Sequence, residues 1–197
     1  MRNRVTILVA AFGALLGWAA LALQLVLTLT TIGGTALDGI WRYLGYFTVI
    51  ANLFASAVLT LAVLDRRKPR LEFAAATAMV LVGIVYSLLL RETWDPRGWQ
   101  KIADVALHDA MPAVIALFWL LRPHGGLRWK DVWFCVILPL GYFVYALARG
   151  AADGWYPYAF MDIGQFGAGV VAVNCAIMGA AFVVMASLLK LLDARLP

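Results

Sequence analysis

The sequence predicts an all-α integral membrane protein: one domain, residues 1–197, built as a bundle of six transmembrane helices with both termini in the cytoplasm. Three observations predict it. Of the 197 residues, 64% are hydrophobic and 14% charged, and the mean hydropathy is +0.86. A water-soluble domain is about 45–50% apolar and about 25% charged. It could not hide this much apolar side chain from water, whereas lipid-facing residues need no polar cover. Next, six apolar stretches approach or exceed the roughly 20 residues that cross a bilayer. Finally, the basic residues are divided unequally between the two sets of connections. A disordered chain, a nucleic-acid binder and a disulfide-stapled secreted domain are thereby excluded. The two cysteines, Cys135 and Cys175, lie inside apolar runs and read as packing residues.

The first span is Ile7–Thr31. Arg2 and Arg4 give it a basic start, and Ala20-Leu21-Ala22 resembles a signal cleavage site. The apolar run nevertheless continues to Ile32, longer than a signal core, so an uncleaved helix is expected. Gly13 and Gly17 within it form a small-xxx-small packing motif. The second span, Tyr43–Leu64, follows Arg42 and carries Thr48 and Asn52. The third, Phe73–Leu90, leaves with Tyr86, Arg91 and Glu92. The fourth, Val105–Leu121, follows Asp104 and carries His108 and Asp109, with a kink expected at Pro112. The fifth, Val132–Ala148, is expected to kink at Pro139 and ends on Tyr142, Tyr145 and Arg149. A loop with Tyr156, Tyr158, Asp162 and Gln165 leads to the sixth, Phe166–Leu189, which has Asn174 near its middle. The runs are continuous rather than alternating, which argues against a barrel.

Orientation follows from the 16 Lys and Arg. Eleven fall on the side of the termini (Arg2, Arg4, Arg66, Arg67, Lys68, Arg70, Arg122, Arg128, Lys130, Lys190, Arg195), and five on the other (Arg42, Arg91, Arg97, Lys101, Arg149). The richer side is cytoplasmic by the positive-inside rule. In a bacterium the membrane would be the plasma, or inner, membrane. The net charge of +5 is a consequence of this topology and needs no nucleic-acid partner.

Polar groups inside a membrane bundle are costly, so their depth carries information. They gather toward the outer face. With a rise of about 1.5 Å per residue, Thr48 lies roughly 9 Å beyond Arg42, and His108 roughly 6 Å beyond Asp104. Both therefore sit at similar shallow depth. Asp104 and His108 are four apart and share a helix face, so the carboxylate can orient the imidazole. A hydroxyl and an oriented imidazole at one depth are the minimum parts of an activated nucleophile. Blander roles compete. A threonine in a membrane helix ordinarily bonds back to the carbonyl one turn earlier, here near Leu44. His108 would then be a hydrogen-bonded packing residue, and Asp104 an acid favoured at a helix start. His124, between Pro123 and Gly125, reads as a loop residue.

Other patterns are weaker. The run from Gly164 to Gly169 is glycine-rich, but its spacing is wrong for a dinucleotide fold. One intramembrane histidine and scattered aspartates give no metal-ligand spacing. There is no Gly-x-Ser-Gly of a rhomboid-type protease, and no histidine pair for a di-haem cytochrome. No cofactor is expected.

Three segments, taken together, carry a resemblance. They are Arg42-Tyr43-Leu44-Gly45-Tyr46-Phe47-Thr48-Val49-Ile50-Ala51-Asn52-Leu53, Ala106-Leu107-His108-Asp109-Ala110-Met111-Pro112-Ala113-Val114, and Gly141-Tyr142-Phe143-Val144-Tyr145 with the later Gly154-Trp155-Tyr156-Pro157-Tyr158-Ala159-Phe160-Met161-Asp162-Ile163-Gly164. Their order and spacing, over about Tyr43 to Gly169, resemble the androgen-induced protein family, which includes the androgen-dependent TFPI-regulating protein, and its bacterial relatives. The resemblance implies an intramembrane hydrolase using a threonine and a histidine, which match Thr48 and His108. It implies a membrane lipid or long-chain fatty acid ester as substrate, since the animal members hydrolyse esters between a fatty acid and a hydroxy fatty acid. On that reading Thr48 attacks the carbonyl, His108 takes the proton, and Asp104 or Asp109 orients the ring. Asn52 either donates to the oxyanion or holds Thr48 in place. Tyr145 supports the site, and Tyr86, Arg91, Arg149, Tyr156 and Tyr158 shape its polar mouth. The competing class is a non-enzymatic bundle: a lipid-binding protein, a carrier or an interaction scaffold. What discriminates the two is whether Thr48 and His108 face one cavity.

Overall fold

A computed structural model of the chain describes residues 4–196, which are helical with no strand. The helices, in order, are α1 (Arg4–Thr31), α2 (Ala36–Tyr43), α3 (Phe47–Val63), α4 (Pro69–Val85), α5 (Trp99–Val105), α6 (Met111–Leu120), α7 (Trp129–Asp153) and α8 (Ile163–Asp193). A π-helical segment, Tyr86–Leu90, extends α4, and another, Ala106–Ala110, joins α5 to α6. Among the described residues five helices are long and apolar enough to cross a membrane, α8 with a kink at Gly167 (φ 76°, ψ 155°). A sixth is obtained if α2 and α3, bent by 80° at their junction, count as one span.

The second span departs from the sequence expectation. Tyr43–Leu64 is not one straight helix, so the separation of Thr48 from Arg42 is not a helical rise. Gly45 sits at the corner, where an added Cβ would come within 2.6 Å of the Trp155 ring. A broken helix leaves carbonyls without intrahelical partners. Helix α7 supplies them from one face: Tyr142 donates to Gly45 O (3.0 Å), Tyr145 to Leu44 O (3.3 Å) and Arg149 to Trp41 O (2.7 Å). The buried Arg149 cation also meets the negative end of α2. Residues 142, 145 and 149 recur at helical spacing because they serve one seam.

The core forms where α1, α3, α4 and α6 converge, with Leu59, Met79, Met111, Ile115 and Phe118 fully enclosed. Helix α8 packs on α7 and α4 and leaves most of its apolar surface outward. That arrangement suits a lipid-facing helix, where burial against protein is not required.

The far end of the bundle is closed by ions. Asp193, wholly buried at the end of α8, accepts from Arg122 (3.2 Å), His124 (3.1 Å) and the backbone N–H groups of Gly125 (3.1 Å) and Leu127 (3.2 Å). Thr6 near the start of α1 donates to Leu121 O (3.0 Å). Both ends of the described chain therefore lie at the same end of the bundle. His124 lies in the loop, as expected, and its side chain there is a structural partner of Asp193. Burial pulls the Arg122 guanidinium below its usual range, and Asp193 opposes that pull. Asp193→Asn leaves this desolvated cation uncompensated and should cost about 3 kcal/mol. The check is the unfolding midpoint of detergent-solubilised protein, which an unimportant cluster would leave unchanged.

Candidate active site

Thr48 occupies the second position of α3, one residue after the start of the helix. The corner before it removes the arrangement in which a membrane threonine bonds back to the previous turn, because Leu44 belongs to the other side of the bend and its carbonyl accepts from Tyr145. The amides of Val49 and Ile50 donate to Tyr46 O, at 3.1 and 3.3 Å. The Thr48 hydroxyl is met by Tyr158, whose phenol also touches the backbone of Phe47 and Thr48. Burial pushes the Tyr158 phenol above its usual value, and these contacts with Thr48 act against the shift.

His108 lies in the π-helical segment between α5 and α6. Its Nδ1 is 3.0 Å from both the carboxylate Oδ1 and the backbone carbonyl of Asp104. Both partners are acceptors, which puts the proton on Nδ1 and leaves Nε2 to accept. That one proton is better aligned with the carbonyl, so Asp104 Oδ1 lacks a well-directed donor although Nδ1 is near. The other carboxylate oxygen accepts from the Tyr86 hydroxyl at 2.5 Å. The Tyr86 ring stacks on the imidazole, with centroids 3.9 Å apart and planes at 18°. Tyr86, Asp104 and His108 thus form one braced unit in which two rings and a carboxylate fix each other. Gly83 permits the close approach of its two helices: a Cβ there would lie 3.1 Å from Pro112. Tyr86 opens one π-helical segment and His108 sits in the other. Such single-turn bulges recur at functional sites because they re-aim side chains.

Thr48 and His108 line the same cavity, of about 470 Å³, together with Asp104, Tyr86, Tyr158 and Arg42. A second, narrow apolar cleft of about 50 Å³ runs deeper, between Phe47, Leu81, Val82, Tyr142, Phe143 and Phe182. Thr48, Tyr86, Leu90 and Tyr158 border both. A polar chamber and an apolar slot therefore meet at the threonine.

Asn52 is fully buried and spends its amide N–H groups on Thr48 O (2.8 Å) and Leu107 O (3.2 Å). Of the two roles open to it, this geometry is that of a strap tying the threonine helix to the histidine helix. Asp109 is ion-paired with Arg91 and faces a lateral groove with His108, Ser87 and Gly83, while Asp104 is the carboxylate on the imidazole. The Arg91 guanidinium stands 4.8 Å over the Tyr86 ring. Arg149 and Tyr156 are not mouth residues. Arg149 is committed to Trp41 O and the Tyr145 hydroxyl (2.9 Å), and Tyr156 packs where a Cβ on Gly150 would sit. Asn174 holds the Tyr158 loop from α8 by donating to Phe160 O at 2.8 Å. Gln24 and Gln100, joined at 2.9 Å, also line the chamber, a pairing across 76 residues that sequence spacing does not reveal.

Fold and site define a helical, apolar bundle with a threonine–histidine chamber near one end. Compared with known proteins, the chain matches no family model, no curated protein and no solved structure.

Proposed function

We propose that the protein is an intramembrane lipid ester hydrolase of the androgen-induced protein type, with Thr48 as nucleophile and His108 as general base. One observation carries the reading: Thr48, freed from back-bonding by the corner before α3, lines one cavity with a histidine whose Nδ1 is held by Asp104. The polar chamber meeting an apolar slot at Thr48 suits an ester with an aliphatic chain. Thr48 Oγ attacks the ester carbonyl carbon as its proton passes to His108 Nε2. The tetrahedral oxyanion collapses, the C–O bond to the alcohol breaks, and His108 returns the proton to the leaving oxygen. Water then attacks the acyl-threonine, giving its proton to His108; the bond from the acyl carbon to Oγ breaks, His108 passes the proton to Thr48 Oγ, and the acid leaves. The amides of Val49 and Ile50 donate to Tyr46 O, so those of Phe47 and Thr48, with the positive end of α3, favour the oxyanion. Tyr158 lies against those amides and would shift to admit the substrate. Labelling with a long-chain fluorophosphonate followed by peptide mapping tests this. Modification at Thr48 supports it, and modification elsewhere or none at all overturns it.

The topology belongs to the same reading: six spans, with α2 and α3 forming one, and cytoplasmic termini. The shared end of the two termini and the excess of basic residues there support it. Reporters fused after Arg67 and Arg128 should report cytoplasm, and those after Trp99 and Gly154 the outside. A reversed site would sink the six-span arrangement.

A further inference from the structure

The chamber has an unbalanced charge. Its one carboxylate among the described residues, Asp104, is committed to Tyr86 and His108. Its one guanidinium, Arg42, has no carboxylate within 4 Å among the described residues. The acid whose field reaches Arg42, Asp153, is occupied by the Trp41 indole (2.7 Å) and the Trp155 amide (2.9 Å). Asp38 is occupied by Thr35. Arg42 lies 3.9 Å over the Trp155 ring, which fixes the plane of the guanidinium and leaves its edge donors available. The other polar liners, among them Gln24, Gln100 and Thr93, are neutral. A braced guanidinium in a cavity with low-dielectric walls is a receptor for a planar or tetrahedral oxyanion.

The positions also have an order. Arg42 stands in the last turn of α2 and lines the chamber, Thr48 lies past the corner, and the apolar slot continues from Thr48 to Phe182. A ligand spanning them carries charge at one end, an aliphatic chain at the other and a reactive carbonyl between. We propose that Arg42 is the anion-binding residue of this chamber and that the ligand is a single-chain lipid bearing a carboxylate or phosphate. The proposal rests on the hydrolase reading only in placing the ester carbonyl at Thr48.

Binding is therefore measured where no turnover occurs, in purified full-length Thr48→Ala, using the fluorescent fatty acid cis-parinaric acid and its methyl ester. The acid should bind at least about tenfold more tightly than the ester, the worth of one charge-assisted contact. Arg42→Gln in the same background should erase that difference, and Arg42→Lys should keep part of it. Palmitate and a lysophosphatidate should both compete, whereas acetate and inorganic phosphate should not. Equal affinity for acid and ester, or a preference that survives in monodisperse Arg42→Gln, overturns the proposal. Competition by acetate or phosphate as strong as by palmitate overturns its lipid part. A failed fluorophosphonate reaction at Thr48 with the acid preference intact would remove the hydrolase and leave the anion site standing.

Discussion

Thr48→Ala and His108→Ala should each lower hydrolysis of a long-chain ester by at least about 10³-fold, at an unchanged yield of monodisperse protein. Both substitutions disable one step, the transfer of a proton from the attacking hydroxyl. The double variant should accordingly be scarcely worse than either single one, because groups that act as a unit are strongly non-additive. Thr48→Ser should retain a measurable fraction. It keeps the hydroxyl but loses the β-branch that restricts χ1, so the nucleophile spends less time in the attacking rotamer. Helix α3 begins one residue earlier, and Asn52 bonds to the Thr48 carbonyl and not to its side chain, so neither substitution removes a fold contact through the strap. Wild-type turnover in well-folded Thr48→Ala would refute the threonine mechanism and favour the lipid-binding alternative.

Asp104→Asn should have the second-largest effect, roughly 10²–10⁴-fold in kcat with little change in KM, as expected where a carboxylate stabilises the imidazolium of the base beside it. The backbone carbonyl of residue 104 still accepts the Nδ1 proton, but the carboxylate charge 3.0 Å from the ring, which stabilises the imidazolium formed when the base takes its proton, is lost. Tyr86→Phe is the graded companion. It keeps the ring stacked on His108 but removes the 2.5 Å bond to Asp104. The loss of one such bond should lower kcat by about tenfold. A purely structural role would appear instead as reduced yield and an altered unfolding midpoint with kcat intact. The expected order of severity, Asp104→Asn before Tyr86→Phe, separates electrostatic support of the base from packing around it.

The Asp104–His108 contact was legible in the sequence because it is local. Residues four apart on a helix meet whatever the rest of the chain does, even though the turn between them is π-helical here. The stacking of Tyr86 on that imidazole was not legible. It depends on two segments whose starts lie 20 residues apart in the chain being bulged at the same level, and no periodicity encodes a bulge. Arg149 shows the opposite difficulty. An arginine near the membrane surface reads as a mouth residue from composition, yet Arg149 turns one donor to the Trp41 carbonyl of α2 and another to the Tyr145 hydroxyl. That demand arises only because the second hydrophobic stretch breaks at Gly45. Arg42, by contrast, was read only as a topological charge, and it acquires a chemical meaning once it is seen to line the chamber with no carboxylate beside it.

What the sequence by itself determined is the helical, apolar character of the chain and the rough extent of its long helices. Those follow from a one-dimensional quantity: apolar residues persist for the thickness of a bilayer, and lipid requires backbone groups to be satisfied within each segment. Tertiary structure alone decided which side of each helix faces a cavity, where the second stretch turns by 80° and that Thr48 and His108 line one chamber. In a bundle whose interior and exterior are both apolar, hydrophobicity does not mark the inward face. Close packing and a few hydrogen bonds between distant residues, such as Asn52 to Leu107 and Tyr142 to Gly45, set it instead.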